Sequence, residues 1–138
     1  MKTIALFLGL ALMSFNAVAQ EESVTLTVTI ENILNDEGTV LVSLHTADTF
    51  MKGGGIINLS EKAQKGPVTL TFENIKPGSY AIMAMHDANN NNRMDYESNG
   101  MPKESYGMSG NDMTMGPPTF DAAKFEVANE DISFTIRF

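Results

Sequence analysis

Strict alternation of apolar and polar residues is the sequence feature that most constrains the fold. In SVTLTVTI, residues 23–30, every second residue is valine, leucine or isoleucine, and the residues between them are serine or threonine. This period of two is typical of a strand with one buried face and one face toward solvent. No stretch of residues 20–138 keeps a helical period over three turns. The alternation therefore predicts an all-β fold.

Turn-forming residues separate this stretch from others of the same kind. Residues 35–38, NDEG, and the pair Pro77-Gly78 have turn composition, and we expect the strands on either side of NDEG to pair as a hairpin. Short strands between turns, in a chain long enough for one domain, predict a single antiparallel β-sandwich of about seven strands, of immunoglobulin or transthyretin type. The predicted strands are 23–30, 39–45, 56–59, 67–75, 80–85, 123–127 and 131–138.

One predicted strand, 80–85, is apolar on both faces. A strand of this kind is covered on both sides, so one face belongs to the core and another segment has to lie over the other. The candidate cover is one long loop at 86–119, which is polar and rich in Asn, Gly and Met, because a structureless loop of that length is rare in a compact domain. Its methionines are expected to act as apolar anchors: Met94, Met101, Met108, Met113 and Met115.

Residues 1–19 have the pattern of a secretory signal peptide. Lys2 precedes an apolar run, residues 4–15, that is too short to span a bilayer, and Ala17-Val18-Ala19 fits the cleavage rule. We therefore expect cleavage after Ala19, a β-sandwich domain at 20–138, and a periplasmic or secreted location in a Gram-negative bacterium. The chain has no cysteine, so its stability cannot depend on disulfides.

The negative charge of the chain argues against one class of partner, nucleic acid. The formal net charge is −8 at pH 7, and so acidic a chain repels the phosphates of nucleic acid. Beyond the N-terminal run, no apolar stretch is long enough to cross a membrane as a helix. We therefore expect neither a nucleic-acid partner nor a membrane span, and a general preference for cations.

The residues HDANNNNRMD, 86–95, have the ligand spacing of a calcium loop. Oxygen-bearing side chains recur at every second residue, and calcium takes six to eight oxygen ligands. The sixth position of such a loop is usually a glycine with positive φ, and Asn92 is the next best residue there. The predicted ligands are Asp87, Asn89, Asn91, the backbone carbonyl of Arg93, and Asp95.

The twelfth position, where a bidentate glutamate is usual, is Ser98. Glu97 or Glu104 would have to close the site, and the spacing leaves both open. With few carboxylates the calcium affinity is expected to be modest, roughly 10⁻⁴ to 10⁻³ M. The alternative is an Asn-rich turn without an ion, since Asn and Asp side chains also cap turns.

Over several segments the chain resembles a family of bacterial secreted proteins known only as domain of unknown function 2141. The resemblance rests on residues 26–44, 76–95, 100–111 and 116–127 and on the closing strand. It implies an extracytoplasmic β-sandwich, prealbumin- or immunoglobulin-like, and says little about function because the family is uncharacterised. The family's HDxNxNGxxD motif falls on His86, Asp87, Asn89, Asn91 and Asp95, with Asn92 in place of its glycine.

These features favour a non-enzymatic module whose calcium loop orders a surface for a protein or carbohydrate partner. Three aromatic residues in or near the long loop could form a platform for that partner: Tyr96, Tyr106 and Phe120.

Two other functions remain open on the residues alone. Copper(I) could be held by thioether and imidazole groups, although methionine more often fills cores. A hydrolytic enzyme is less favoured, because GMSG at 107–110 misses the nucleophile pattern G-x-S-x-G by one residue. The candidate copper ligands are Met83, Met85, His86, Met113 and Met115.

Overall fold

The computed structural model describes residues 22–110 and 116–138, which form an all-β sandwich as expected. The predicted signal peptide at 1–19 lies outside the described residues. In the described parts, no helix is long and apolar enough to cross a membrane. The elements are β1 Val24–Glu31, β2 Thr39–His45, β3 Ile57–Lys62, β4 Val68–Ile75, β5 Gly78–Asp87, β6 Tyr106–Met108, α1 Phe120–Ala123, β7 Phe125–Val127 and β8 Ile132–Arg137.

Two sheets form the sandwich. The three-stranded sheet has the order β4-β1-β8. The five-stranded sheet has the order β3-β2-β5-β6, and β7 pairs with the first residues of β5. The described strand pairs are antiparallel except β1–β8, which is parallel. This pair departs from the purely antiparallel expectation, and it can form because β1 and β8 are far apart in sequence and need no tight turn between them.

The hairpin expected between the first two strands is wrong. β1 pairs with β4 and β8, whereas β2 pairs with β3 and β5, so residues 32–38 cross from one sheet to the other. Alternation determines which face of a strand is buried but not which strand lies next to it. The crossing begins and ends in the left-handed region, at Asn32 with φ 66° and Gly38 with φ 67°.

The core between the sheets contains the residues that alternation predicted to point inward. Along β1, Val24, Leu26, Val28 and Ile30 are at most 1% exposed. Burial of side chains of this size contributes roughly 1.5 to 3 kcal/mol each. The other strands add Val40, Val42, Leu44, Val68, Leu70, Phe72, Tyr80, Ile82, Ala84, Val127 and Ile136.

The second face of β5 is only partly covered, and the cover does not come from 86–119 alone. Ala81 is fully buried in a second small cluster with Phe50 and Ala123. Phe50 comes from the β2–β3 connection, and its ring centroid lies 5.9 Å from that of His45 and 5.9 Å from that of Phe120. The cover is therefore assembled from three separate segments.

The expected methionine anchors have different outcomes. Met108 packs against the second cluster and Met94 is partly buried, whereas Met101 is 61% exposed and so is not an anchor. Met113 and Met115 lie outside the described residues.

Two short elements, β6 and α1, were not predicted. Each has too few residues to show a period: three in β6 and four in α1. Thr119 caps α1 by accepting a hydrogen bond from the N–H of Ala122. Ser109 follows β6 and is buried; its hydroxyl accepts from the N–H of Ile82 at 2.9 Å and donates to the carbonyl of Ala123 at 2.6 Å. That hydroxyl, from the GMSG stretch considered as a nucleophile, therefore ties β5 to the helix.

Candidate functional site: an ion loop beside an apolar groove

The candidate loop, residues 87–95, begins where β5 ends, and we call it the ion loop. Asp87 is the last residue of β5 and pairs with Thr39 of β2. The residue before it, His86, lies on the opposite face of the strand because side chains alternate. The Nε2 atom of His86 donates to the carbonyl of Glu37 at 2.6 Å. His86 therefore holds the 35–38 turn against the sheet.

A single buried carboxylate organises the first half of the ion loop. Asp87 is fully buried; its Oδ1 accepts from the N–H of Asn91 at 3.1 Å, and its Oδ2 accepts from the N–H of Asn92 at 2.7 Å. Asn90 and Asn92 have φ of 57° and 60°, a conformation that asparagine tolerates better than most residues. The prediction that Asn92 supplies a positive φ at the sixth position is confirmed.

The alternate asparagines join the loop to Asp95. The Oδ1 of Asn89 accepts from the N–H of Asn91 at 3.2 Å, and the Oδ1 of Asn91 accepts from the N–H of Arg93 at 3.1 Å. Their Nδ2 groups donate to the Asp95 carboxylate, Asn89 at 2.6 Å and Asn91 at 2.9 and 3.0 Å. These two donors, Asn89 first, lower the pKa of the Asp95 carboxyl below its usual value. The structure thus brings together Asn89, Asn91 and Asp95.

Glu104, and not Glu97, lies against this loop. The N–H of Asp95 donates to Oε2 of Glu104 at 3.1 Å, while Oε1 of Glu104 is buried without a hydrogen-bond partner. Such an oxygen costs about 1 to 3 kcal/mol if nothing compensates it. Glu97 is exposed, and its N–H donates to the carbonyl of Met101 at 2.7 Å in a small turn closed by the Tyr96–Pro102 bridge.

The oxygen donors of the loop fit a hard cation better than a soft one. Among the described residues, no three His, Asp or Glu side chains form a group that could hold a metal. An ion here would depend on amide and backbone oxygens as well as on carboxylates. Calcium accepts such mixed oxygen sets, whereas zinc and copper prefer nitrogen and sulfur.

The three candidate copper ligands among the described residues do not share one face of the sheet. Met83 and Met85 lie on the outer face of β5, while His86 lies on its inner face with Nε2 bonded to Glu37. Met113 and Met115 are outside the described residues.

Beside the ion loop, the outer face of the five-stranded sheet forms an open groove of about 1040 Å³. Its floor comes from β2, with Leu41 and Ser43, and from β5, with Met83 and Met85. One wall comes from the ion loop and the segment after it, and the opposite wall from the β2–β3 connection. The wall residues include Arg93, Met94, Tyr96, Pro102 and Tyr106 on the first side, and Met51, Gly53 and Gly54 on the other.

Two of the three aromatic residues considered as a platform line this groove. Tyr96 is 60% exposed and Tyr106 is 46% exposed. Phe120 instead packs on Phe50 in the second cluster.

Sequence reasoning missed the contribution of β2 and the connection after it. Leu41 is the sequence signal that could have revealed the contribution of β2 to the groove, because it is an apolar residue on the otherwise polar outer face of that strand. Met51 is 55% exposed at the rim and belongs to no alternating stretch, so no pattern identified it.

Comparison with known proteins identifies the family. No curated protein and no solved structure matches the chain. The model of a family described as uncharacterized proteins conserved in bacteria, DUF2141, matches residues 28–135, and the chain belongs to that family.

Proposed function

We propose that this protein is a non-enzymatic, exported binding module in which a calcium ion at the ion loop orders one wall of the groove. The observation that carries the proposal is the buried, unpartnered Oε1 of Glu104. It belongs to the carboxylate that already contacts the loop through Asp95. A cation bound there would compensate an oxygen that is otherwise costly to bury.

The proposed ligands are those that the spacing predicts, with Glu104 as the closing carboxylate. Amide oxygens have two lone pairs, so Oδ1 of Asn89 and of Asn91 can each accept a backbone N–H and still face an ion. Asp87, Asp95 and Glu104 do not form a ready three-carboxylate group among the described residues, so an ion would have to draw them together, and the carbonyl of Arg93 would add a neutral oxygen. Carboxylates that are not preassembled, together with neutral oxygens, suit the modest affinity of extracellular calcium modules, roughly 10⁻⁴ to 10⁻³ M.

Calcium at this loop would act on the groove through shared residues. Arg93 and Met94 belong to the ion loop, and Tyr96 follows it directly; all three line the groove. An ion that fixes the loop would therefore fix this wall, and less conformational entropy would be lost when a ligand or partner protein binds. Exposed Tyr96 and Tyr106 are typical of surfaces that recognise a partner.

The test is a thermal melt of the full chain in EDTA, in millimolar calcium and in millimolar magnesium. At ten times the dissociation constant, calcium should add about 1.4 kcal/mol of stability, which is a rise in Tm of roughly 4 to 8 °C. Equal melting temperatures in all three buffers would overturn the ion site. A further melt with copper(I) tests the rival metal, and stabilisation by copper(I) but not by calcium would favour that function instead.

A further inference from the structure

We propose that the groove binds an elongated apolar molecule with one anionic group, of the fatty-carboxylate class, and that Arg93 receives the anionic group. This deepens the proposed function and rests on it only for the dependence on calcium. Three properties of the groove support this inference: its apolar surface, the engagement of Ser43 with Asn58 and its single charge.

The surface of the groove suits a flexible hydrocarbon chain. Leu41, Met83 and Met85 lie on its floor, and Met51 and Met94 stand at its sides. Methionine side chains are flexible and polarizable and adapt to apolar ligands of irregular shape. A groove of about 1040 Å³ is at the upper end of the range for small-molecule sites.

Two polar side chains of the groove, Ser43 and Asn58, are already hydrogen-bonded to each other, which leaves this part of the sheet surface less suited to a sugar. Ser43 donates to Oδ1 of Asn58 at 2.8 Å, and that oxygen also accepts from the N–H of Gly55 at 2.9 Å. The Nδ2 of Asn58 donates to the carbonyl of Gly55 at 3.0 Å. A carbohydrate needs several free donors and acceptors, whereas a hydrocarbon chain needs none.

The floor also disfavours an extended peptide. β2 is paired on both sides, with β3 and β5, and β5 is paired with β2 and β6. The backbone groups of both floor strands are therefore used within the sheet, and a peptide lying on this face could not add to it as a strand.

The single positive charge in the groove favours a ligand with an anionic head group. Of the described residues that line it, Arg93 alone is charged at neutral pH, and His45, also in the lining, has a pKa lowered by burial. A guanidinium forms two parallel hydrogen bonds with a carboxylate. In a chain of net charge −8, a solitary cation beside an apolar surface is a specific complement for an amphipathic anion.

Calcium would strengthen this interaction electrostatically. Arg93 lies two residues from Asp95 in the ion loop, so the negative charge of Asp95 competes with a ligand anion for Arg93. A calcium ion held by Asp95 would offset that negative charge. By linkage, the ligand should raise calcium affinity by the same factor.

The test is a titration of the full chain with cis-parinaric acid, a polyene fatty acid that becomes fluorescent in apolar sites. The chain has no tryptophan, so energy transfer to the polyene comes from its three tyrosines, of which Tyr96 and Tyr106 line the groove. We expect saturable binding, weakened about tenfold in Arg93→Gln and unchanged in Arg137→Gln, an exposed arginine on β8 in the other sheet. The methyl ester should bind Arg93→Gln and the unchanged chain equally.

A second variant tests the apolar surface without straining the backbone. Met51 has φ 58°, and asparagine tolerates that conformation, so Met51→Asn should fold normally and bind parinarate several-fold more weakly. Binding that does not saturate, or equal losses in Arg93→Gln and Arg137→Gln, would overturn the inference whatever the calcium melts show.

The calcium arm repeats the titration in EDTA and in calcium, with Glu104→Gln as the control for calcium soaps of the probe. Tighter binding in calcium that disappears in Glu104→Gln supports the coupling. Binding that depends on Arg93 but is equally strong in EDTA and in calcium would support the groove as the fatty-carboxylate site. The same result would contradict the proposal that calcium orders the groove wall and strengthens ligand binding.

Discussion

The N–H of Asp95 donates a hydrogen bond of 3.1 Å to Oε2 of Glu104, and this contact brings a carboxylate to the end of the ion loop. The chain leaves the loop after Asp95, makes a small turn closed by the Tyr96–Pro102 bridge, and returns. A second hydrogen bond, from the N–H of Lys103 to the carbonyl of Asp95 at 2.8 Å, fixes the return. Glu104 thus brings to the loop the carboxylate that Ser98, at the twelfth position, does not have.

Replacing Glu104 by glutamine should reduce the stabilisation by calcium without unfolding the protein. The amide keeps one oxygen for the N–H of Asp95 but removes the charge, so calcium affinity should fall about tenfold or more. The rise in Tm at fixed calcium should then fall to about a third of its value in the unchanged chain, or less. Glu97→Gln is the matched control, because it makes the same charge change on an exposed side chain in the next turn. Equal calcium shifts in both variants would remove Glu104 from the site.

The local geometry of the ion loop could be predicted from sequence because its hydrogen bonds are short-range. Asn89 and Asn91 bond backbone groups two residues away, and Asp87 bonds groups four and five residues away, so the spacing alone sets the pattern. The choice between Glu97 and Glu104 depended on the intervening turn, whose closing bridge has no motif. Contacts of that kind are tertiary and leave no period in the sequence.

The same distinction explains the sheets. The inward face of β1 was evident from its alternation, but its neighbours are β4 and β8, which lie far along the chain. Thr27 pairs with Thr71 on one side and Ser133 on the other, and alternation would be satisfied equally by β2. Which strands become neighbours is decided by packing of the whole core.

Asp87→Ala should destabilise the protein with or without calcium. The carboxylate is fully buried and accepts the N–H groups of Asn91 and Asn92, and its removal leaves both donors without that acceptor. We expect a loss of about 2 to 4 kcal/mol in EDTA, measured by urea unfolding. Asp95→Ala, at the more exposed end of the loop, should cost less stability in EDTA than Asp87→Ala, although it removes the acceptor of Asn89 and Asn91, and it should abolish the calcium shift. A loss for Asp87→Ala confined to calcium buffer would contradict the structural role of this carboxylate.

Gly38→Ala should be far more damaging than Gly100→Ala. Both glycines have positive φ, 67° and 84°, so alanine at either costs about 1 to 2 kcal/mol in backbone strain. At Gly38 a Cβ would also overlap the carbonyl oxygen of Asp87, where the ion loop begins, whereas at Gly100 nothing lies within 4 Å. Thermal melts should show at least twice the loss of Tm for Gly38→Ala. Equal losses would mean that the contact between the 35–38 turn and the ion loop is not close.

Acidification should weaken the fold through His45. Burial lowers the pKa of its imidazole from the ordinary value of 6.5, although a hydrogen bond with the backbone of Thr49 opposes the shift. Because the folded protein binds this proton less readily than the unfolded chain, the neutral histidine stabilises the fold fully above pH 6.5. That contribution falls as the pH drops from 6.5 toward the folded pKa, and it is constant below the folded pKa.

Urea unfolding of the protein and of His45→Asn from pH 7.5 to about 4.5 isolates this effect, since the carboxylates contribute alike to both. As the pH falls, the unchanged protein should lose more free energy of unfolding than His45→Asn does. If the difference between the two proteins stays constant with pH, the pKa of His45 is not lowered.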